Sequence, residues 1–285
     1  MIKITCPLCR GKNHQQLYKK DGFWIVECLK CGLIFVNPRL EVTKIRRHYD
    51  KTYYQSKDSL DKTRYFDYNF RYLKSHEKKR FRDLFENLEK FLPAKGRWLD
   101  VGAATGFLVL GAQKNGWQAE GVEISKWAAE YAQKKLKVKM FHGDLFEAKF
   151  KNNSFDAVTM LDILEHLEDP IKELKETHRI LKKGGIIYIE TINFDNFITK
   201  NLVRNNYKHM VPAYHLIYFG RPQLRQFLKK AKFQVLKEVV TSTSVGDYEY
   251  EGLGMYWQYL KILLNPQEKT NFAFNDVIKI YAEKV

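Results

Sequence analysis

Beyond residue 31 the chain contains no cysteine. A disulfide framework running through the body of the protein is therefore excluded, and most of the fold must rest on a packed apolar core. No apolar run approaches membrane-spanning length, which excludes a single-pass helix. Prolines number only seven in 285 residues and no tract repeats, so the chain is neither proline-rich nor of low complexity. Acidic residues are the scarcer charge: 33 Asp and Glu stand against 49 Lys and Arg, for a net charge of +16. Such an excess attracts anions such as RNA, nucleotide-linked substrates and acidic lipid. A Lys-rich, well-solvated surface gives the same count, so charge alone names no partner. The opening Met1-Ile2-Lys3-Ile4 is too short for the apolar core of a secretion signal, and the expected address is cytoplasmic.

What is present is globular. Hydrophobic residues make up 45% of the chain, enough for one full core and a small appendage. All four cysteines fall at the start, as Cys6-Pro7-Leu8-Cys9 and Cys28-Leu29-Lys30-Cys31. Two C-x-x-C units about 18 residues apart have zinc-ribbon spacing. Each pair sits on a turn, with Gly11 and Gly32 just beyond, and the two turns aim four thiolates at one point. Four protein ligands leave no open position, so a zinc ion held there is structural. The alternatives are a disulfide, a thioredoxin-like redox motif and an iron–sulfur centre. A cytoplasmic setting disfavours the first, and the second needs a single C-x-x-C before a helix. Phe23-Trp24-Ile25-Val26 between the pairs reads as a short strand in a unit too small to build its own core.

The spacing divides the chain into a ribbon at 1–40, a helical linker or lid at 41–94 and an α/β domain at 95–285 with an insert near 246–270. Phe81, Leu84, Phe85, Leu88 and Phe91 recur with helical period, predicting an amphipathic helix over 73–92 that Pro93 and Gly96 stop. From Arg97 strands and helices alternate. Strands are predicted at 97–101, 118–123, 137–141, 155–160, 185–191, 233–241 and 277–282, and helices at 106–115, 125–135, 170–181 and 221–231. Ser125 is the N-cap of the second of these helices. This alternation means a mostly parallel sheet covered on both faces.

The richest segment is Trp98-Leu99-Asp100-Val101-Gly102-Ala103-Ala104-Thr105-Gly106-Phe107. An apolar strand ends in Asp, a glycine-bearing turn follows, and an apolar helix begins, which is where an α/β sheet receives a nucleoside cofactor. Glu123 lies about 20 residues further on, at the end of the next strand, where a carboxylate accepts hydrogen bonds from ribose hydroxyls.

With these motifs the sequence resembles the class I S-adenosylmethionine-dependent methyltransferases over roughly residues 95–285. Asp100 through Gly106 is similar to the family's glycine loop, which wraps the methionine part of the cofactor, and Glu123 to its ribose-binding acid. Gly143-Asp144-Leu145 is similar to the segment that binds the adenine amino group. Phe155 to Val158 matches the fourth strand, and Asp162-Ile163-Leu164-Glu165-His166-Leu167 the loop after it. Leu181 to Gly185 matches the turn before the fifth strand. The resemblance implies a Rossmann-like seven-stranded sheet with the last strand antiparallel. It also implies S-adenosylmethionine as methyl donor, held by Asp100, Gly102, Ala104, Gly106, Glu123, Asp144, Leu145 and Leu161. Ala104 replaces the middle glycine of the family's usual G-x-G-x-G, with a slight shift of the loop expected. A four-cysteine ribbon ahead of such a domain is similar to bacterial small-molecule and sugar methyltransferases. It is a poorer match to a ribosomal-RNA guanine methyltransferase, whose fourth zinc ligand is usually His.

Two histidines are candidates for the base that takes a proton from the acceptor: His166, just after the fourth strand, and His215, in Tyr214-His215-Leu216-Ile217-Tyr218-Phe219 before a helix. Each has a plain structural alternative, helix capping for the first and aromatic packing for the second. Asp100 as a helix cap, Glu123 as an exposed strand end and Asp144 as a turn residue beside Gly143 are the corresponding alternatives for the acids. The basic, tyrosine-rich stretch 44–82 suits stacking on nucleic acid or a lid over a phosphate-bearing substrate. The apolar stretch 246–266 suits a cover over the acceptor, a dimer seam or a membrane contact. The reading favoured is methyl transfer to a small molecule, a sugar or nucleotide-linked metabolite. The alternatives are RNA methylation and a zinc-dependent binding module without catalysis. Oligomeric state is not legible.

Overall fold

The computed structural model describes residues 1–46, 75–92, 94–195, 209–241 and 276–285. Most of the basic, tyrosine-rich stretch and the entire 246–270 insert lie outside the described residues.

Two sheets organise the molecule. The larger has seven strands: β4 (Arg97–Val101), β5 (Gln118–Glu123), β6 (Lys139–His142), β7 (Phe155–Leu161), β8 (Leu181–Ile192), β10 (Phe233–Thr241) and β11 (Val277–Lys284), in the order β10-β11-β8-β7-β4-β5-β6. Neighbours β8 to β6 run parallel, while β11 is antiparallel to both β8 and β10. Strand order reverses at β4, so the C-terminal ends of β4, β5 and β7 open a crevice at the switch point. Central strands are apolar on both faces: Leu99, Val158, Ile187 and Ile189 are buried on one, and Trp98, Ala157, Ile186 and Tyr188 on the other.

Helix α1 (Ser75–Phe91) lays Phe81, Leu84, Phe85 and Leu88 on Trp98 and Trp117, with the Phe85 and Trp98 rings edge to face at 5.5 Å. Helix α2 (Phe107–Lys114) follows the glycine loop, and α3 (Lys126–Tyr131) begins at Ser125, whose hydroxyl accepts from the Ala128 amide as expected of an N-cap. Helix α3 is shorter than the sequence predicts. It gives way to one π-type turn over Ala132–Leu136, and the chain leaves through Lys137 in the left-handed region. Helix α4 (Pro170–Ile180) is capped by Asp169, and α5 (Arg221–Lys230) precedes β10. Strand β8 starts at Leu181, four residues before its predicted start, so Gly184 and Gly185 lie inside it. Gly184 has φ +75°, and the register with β7 shifts between Phe155 and Ala157.

The smaller sheet is built from β1 (His14–Lys20), β2 (Phe23–Cys28), β3 (Ile34–Val36) and β9 (Ile217–Tyr218). Its fourth strand therefore comes from the far end of the chain. Ile34 pairs with Tyr218 and Phe35 with Ile217. Leu8, Leu33 and Phe35 of the N-terminal region share one buried cluster with Leu216, Ile217, Phe219 and Leu224. The small N-terminal unit solves its shortage of core by borrowing a strand and an apolar face from the larger domain.

Candidate active site

Strand β4 delivers Asp100 to the crevice, 4% exposed. Its Oδ1 accepts from the Thr159 hydroxyl at 2.7 Å, and Thr159 Oγ1 in turn accepts from Trp98 Nε1 at 2.9 Å. Two side chains, one on each of two adjacent strands, thus fix the carboxylate.

After Val101 the backbone turns through three left-handed positions, Gly102 (φ +72°), Ala104 (φ +46°) and Gly106 (φ +80°). Two of the three are glycines because the surroundings leave no room. A Cβ on Gly102 would lie 2.1 Å from Ile163 Cδ1, and one on Gly106 would lie 2.8 Å from the Ala132 Cβ. At Ala104 the same backbone conformation is held by an L side chain, at a cost of roughly 1 kcal/mol.

Glu123 ends β5 and is 4% exposed. Its Oε2 accepts from the Ala104 amide at 2.8 Å and its Oε1 from the Ser125 amide at 2.7 Å. The carboxylate therefore shapes the glycine loop. A carboxylate offers about four acceptor directions, so hydroxyl donors can join the two amides. Within the loop, Thr105 Oγ1 is buried and has no hydrogen-bond partner among the described residues, an orphan polar atom that a ligand group would satisfy. Beside the ends of β5 and β6 lies a groove of about 420 Å³ lined by Ile124, Phe141, His142, Gly143 and Glu147. Ile124 and Phe141 present partly exposed apolar faces suited to a flat ring.

Asp144 follows the groove residue Gly143 in the chain and is half-buried, with Oδ1 accepting from the Phe146 and Glu147 amides at 3.0 and 2.9 Å. It organises the turn after Gly143, as its plain alternative anticipates, and stands next to the fully buried Leu145. Leu161 ends β7, and Asp162 follows in the left-handed region at φ +55°.

His166 and His215 come together. Their rings meet edge to face with centroids 4.7 Å apart. His166 Nδ1 lies 3.1 Å from the Tyr214 carbonyl and His215 Nδ1 lies 2.7 Å from the His209 carbonyl. A carbonyl oxygen only accepts, so each Nδ1 carries a proton; in the neutral ring the lone pair is then on Nε2. Glu165 joins them: its carboxylate and the two imidazoles offer ligand or proton-accepting atoms within 4.8 Å of one another. Glu165 is 1% exposed and accepts from the Thr191 hydroxyl at 2.7 Å. His209 Nε2 stands 3.2 Å from Asp276 Oδ2, both buried, and its ring stacks on that of His215. Glu165, His209 and Asp276 are not among the residues the sequence singles out. Glu165 lies in a segment rich in other acids, where nothing marks it out, and nothing in sequence spacing links 209 to 276.

The four cysteines form a second centre. Arg10 N donates to Cys6 O and Cys6 N to Gly11 O; one knuckle later Gly32 N donates to Cys28 O and Cys28 N to Leu33 O, all at 2.9 Å. The two turns are copies, with Arg10 (φ +59°) and Gly32 (φ +69°) in equivalent left-handed places. Arg10, not Gly11, makes the first turn. Cys6 and Cys31 sulfurs are 3.5 Å apart, as are those of Cys9 and Cys28, and all four lie within 4.8 Å. A tetrahedral Zn²⁺ with bonds of about 2.3 Å separates its sulfurs by about 3.8 Å, whereas a disulfide needs about 2.05 Å. The residues present fit zinc. Burial raises the Cys6 thiol to about 11 and raises Cys31 as well. Cys9 is lowered although burial opposes it, through the Gly11 amide and the neighbouring Cys28 thiol.

A parallel sheet with a reversal at β4, a left-handed glycine loop and a buried acid at the end of the adjacent strand define a class I S-adenosylmethionine-dependent methyltransferase domain. The chain belongs to the methyltransferase domain family, whose model matches residues 74–238. An uncharacterized protein of Methanocaldococcus jannaschii, MJ1123, is 32% identical over 161 residues, covering 56% of this chain and 67% of that protein. Demethylmenaquinone methyltransferase of Staphylococcus aureus is 28% identical over 143 residues, 47% of this chain and 59% of the relative, so the match spans about three fifths of that protein. Among solved structures, an S-adenosylmethionine-dependent methyltransferase from Archaeoglobus fulgidus superposes with a TM-score of 0.53 at 17% identity, over 77% of this chain and 99% of that one. One from Methanosarcina mazei gives 0.52 at 16% identity, over 70% and 96%. These two show the fold. Among the described residues no helix is long and apolar enough to cross a membrane.

Proposed function

We propose that this protein transfers a methyl group from S-adenosylmethionine to a hydroxyl or similar protic group of a small molecule, a sugar or nucleotide-linked metabolite, with a structural zinc at the four cysteines. What supports the reading is a left-handed glycine loop bonded to Glu123 and, connected to it through Ile163, a buried His166–His215–Glu165 cluster. Ile163, three residues before His166, lies directly over Gly102 and so joins the two halves.

The bound cofactor supplies an electrophilic methyl group on a sulfonium. In this reading Glu123 holds the ribose hydroxyls, the glycine-loop amides hold the cofactor carboxylate, and the groove at Ile124 and Phe141 holds the adenine beside Asp144 and Leu145. Asp100, locked by Thr159 and Trp98, holds the cofactor's positive end. One of the two imidazoles, through Nε2, would take the single proton that the acceptor loses. Burial of Glu165 and His215 suits an acceptor small enough to enter the crevice. A relative named for demethylmenaquinone supports a small-molecule acceptor class. The test is release of S-adenosylhomocysteine by the purified protein against panels of sugars, nucleotide sugars, phenols and unstructured RNA. Turnover with small hydroxylic acceptors supports the reading. Turnover with RNA alone, falling steeply with salt, contradicts it, and tight cofactor binding without turnover points to a binding module.

A further inference from the structure

The two histidines reach the crevice on segments far apart in sequence, and the four-cysteine unit holds both. On the His166 side, Arg39 is 5% exposed, donates from Nη1 to the Glu168 carbonyl at 3.2 Å and pairs through Nη2 with the Glu168 carboxylate at 3.1 Å. Arg10, inside the first cysteine knuckle, meets Asp169 at 3.0 Å. On the His215 side, Val36 N donates to Leu216 O at 3.0 Å, β3 pairs with β9 at 217–218, and Gln223 Nε2 donates to Cys31 O at 3.1 Å. Leu216 closes the loop, since its own N–H donates to the Glu165 carbonyl at 2.8 Å. Leu216 therefore bonds through one peptide end to the segment carrying His166 and through the other to the ribbon.

We propose that the cysteine unit is a metal-dependent clamp, in which Arg39, Val36 and Gln223 are positioning residues that set the relative placement of His166 and His215. The metal is a thiolate-binding divalent ion of the zinc class. The clamp acts on the acceptor side of the crevice, through the backbone bonds to the segments that carry His166 and His215. The inference rests on the zinc and histidine roles proposed above, and its test does not need the acceptor.

The experiment uses the full chain labelled with ¹⁵N-histidine, first metal-loaded, then stripped by chelation, then reloaded with Zn²⁺. In the loaded protein the His166 and His215 signals show the Nδ1-protonated tautomer. Stripping is expected to abolish that pattern, to speed exchange of the Leu216 and Val36 amides at least tenfold, and to leave the affinity for S-adenosylhomocysteine within twofold. Zn²⁺ restores all of it. Unchanged histidine signals and Leu216 exchange in the stripped protein overturn the clamp. So does loss of protection at Leu99 and Val158 in the central strands, because the effect is then global unfolding. Arg39→Ala, with the cysteines intact, reads the clamp separately: the His166 signal moves while zinc stays bound, and Arg39→Lys partly restores it. A His166 signal unmoved by Arg39→Ala also overturns the clamp. Protein that takes up no metal, yet responds to Arg39→Ala, removes the metal and keeps the positioning role.

Discussion

The His166 and His215 rings meet at an interplanar angle of 77° with centroids 4.7 Å apart, each steered by a backbone carbonyl. If these imidazoles accept the proton, His215→Ala lowers turnover about 10²- to 10⁴-fold. His166→Ala has an effect of similar sign. Calorimetry with S-adenosylhomocysteine should find affinity in both variants within twofold of the parent. Undiminished turnover in His215→Ala removes that residue from the chemistry.

Glu123 accepts from the Ala104 and Ser125 amides and, in the proposed function, also holds the ribose. Charge-assisted hydrogen bonds contribute about 1.5–3 kcal/mol each. Glu123→Ala is therefore expected to weaken cofactor binding by at least tenfold and to loosen the glycine loop, seen as faster exchange of the Ala104 amide. Full affinity in this variant means that the ribose lies elsewhere.

Ala104 is the point where the sequence departs from the family's glycine pattern, and its φ of +46° accounts for the family's preference. Ala104→Gly relieves roughly 1 kcal/mol of left-handed strain but loosens the unfolded chain by about 0.4–1 kcal/mol. The two nearly cancel, so thermal unfolding shifts the midpoint by no more than about 2 °C. Ala104→Val, a β-branched residue at positive φ, lowers it by several degrees. Equal midpoints for the glycine and valine variants contradict the loop geometry.

Much of this was legible in the sequence, for physical reasons. Strands β4, β5 and β10 begin and end where predicted because apolar runs are cut by Gly102, Ser125 and polar ends. Helix α1 follows from the spacing of Phe81, Leu84, Phe85 and Leu88. The ribbon's dependence on β9 was not legible, because a two-residue strand leaves no period to detect and its partner lies far away in the chain. The same limit hid His209 with Asp276 and Glu165 with Thr191, which are tertiary pairings between residues of ordinary local context. The resemblance implies an adenine contact for Asp144; what the structure shows is that its Oδ1 builds the turn after Gly143.

The thiols at Cys6 and Cys31 are raised by burial and are protonated near neutral pH in the metal-free chain. Zinc requires thiolates, so uptake must expel those protons. Calorimetric titration of Zn²⁺ at pH 7 in buffers of different ionisation enthalpy should report release of about two or more protons per ion. A buffer-independent heat contradicts thiolate ligation.

Asp100 is held by a buried chain through Thr159 to Trp98. Thr159→Val removes the donor and leaves the carboxylate under-satisfied, a loss of about 1–3 kcal/mol in unfolding free energy. Denaturant unfolding measures it; an unchanged midpoint indicates that Asp100 is fixed by other means.

The account stands on the cradle formed by Glu123, the glycine loop and the groove at Ile124 and Phe141. Isothermal titration of the folded chain with S-adenosylhomocysteine tests it most directly. The expected result is one site per chain, weakened at least tenfold by Glu123→Ala. Absence of binding heat at several temperatures, in protein whose core amides remain protected, would contradict it.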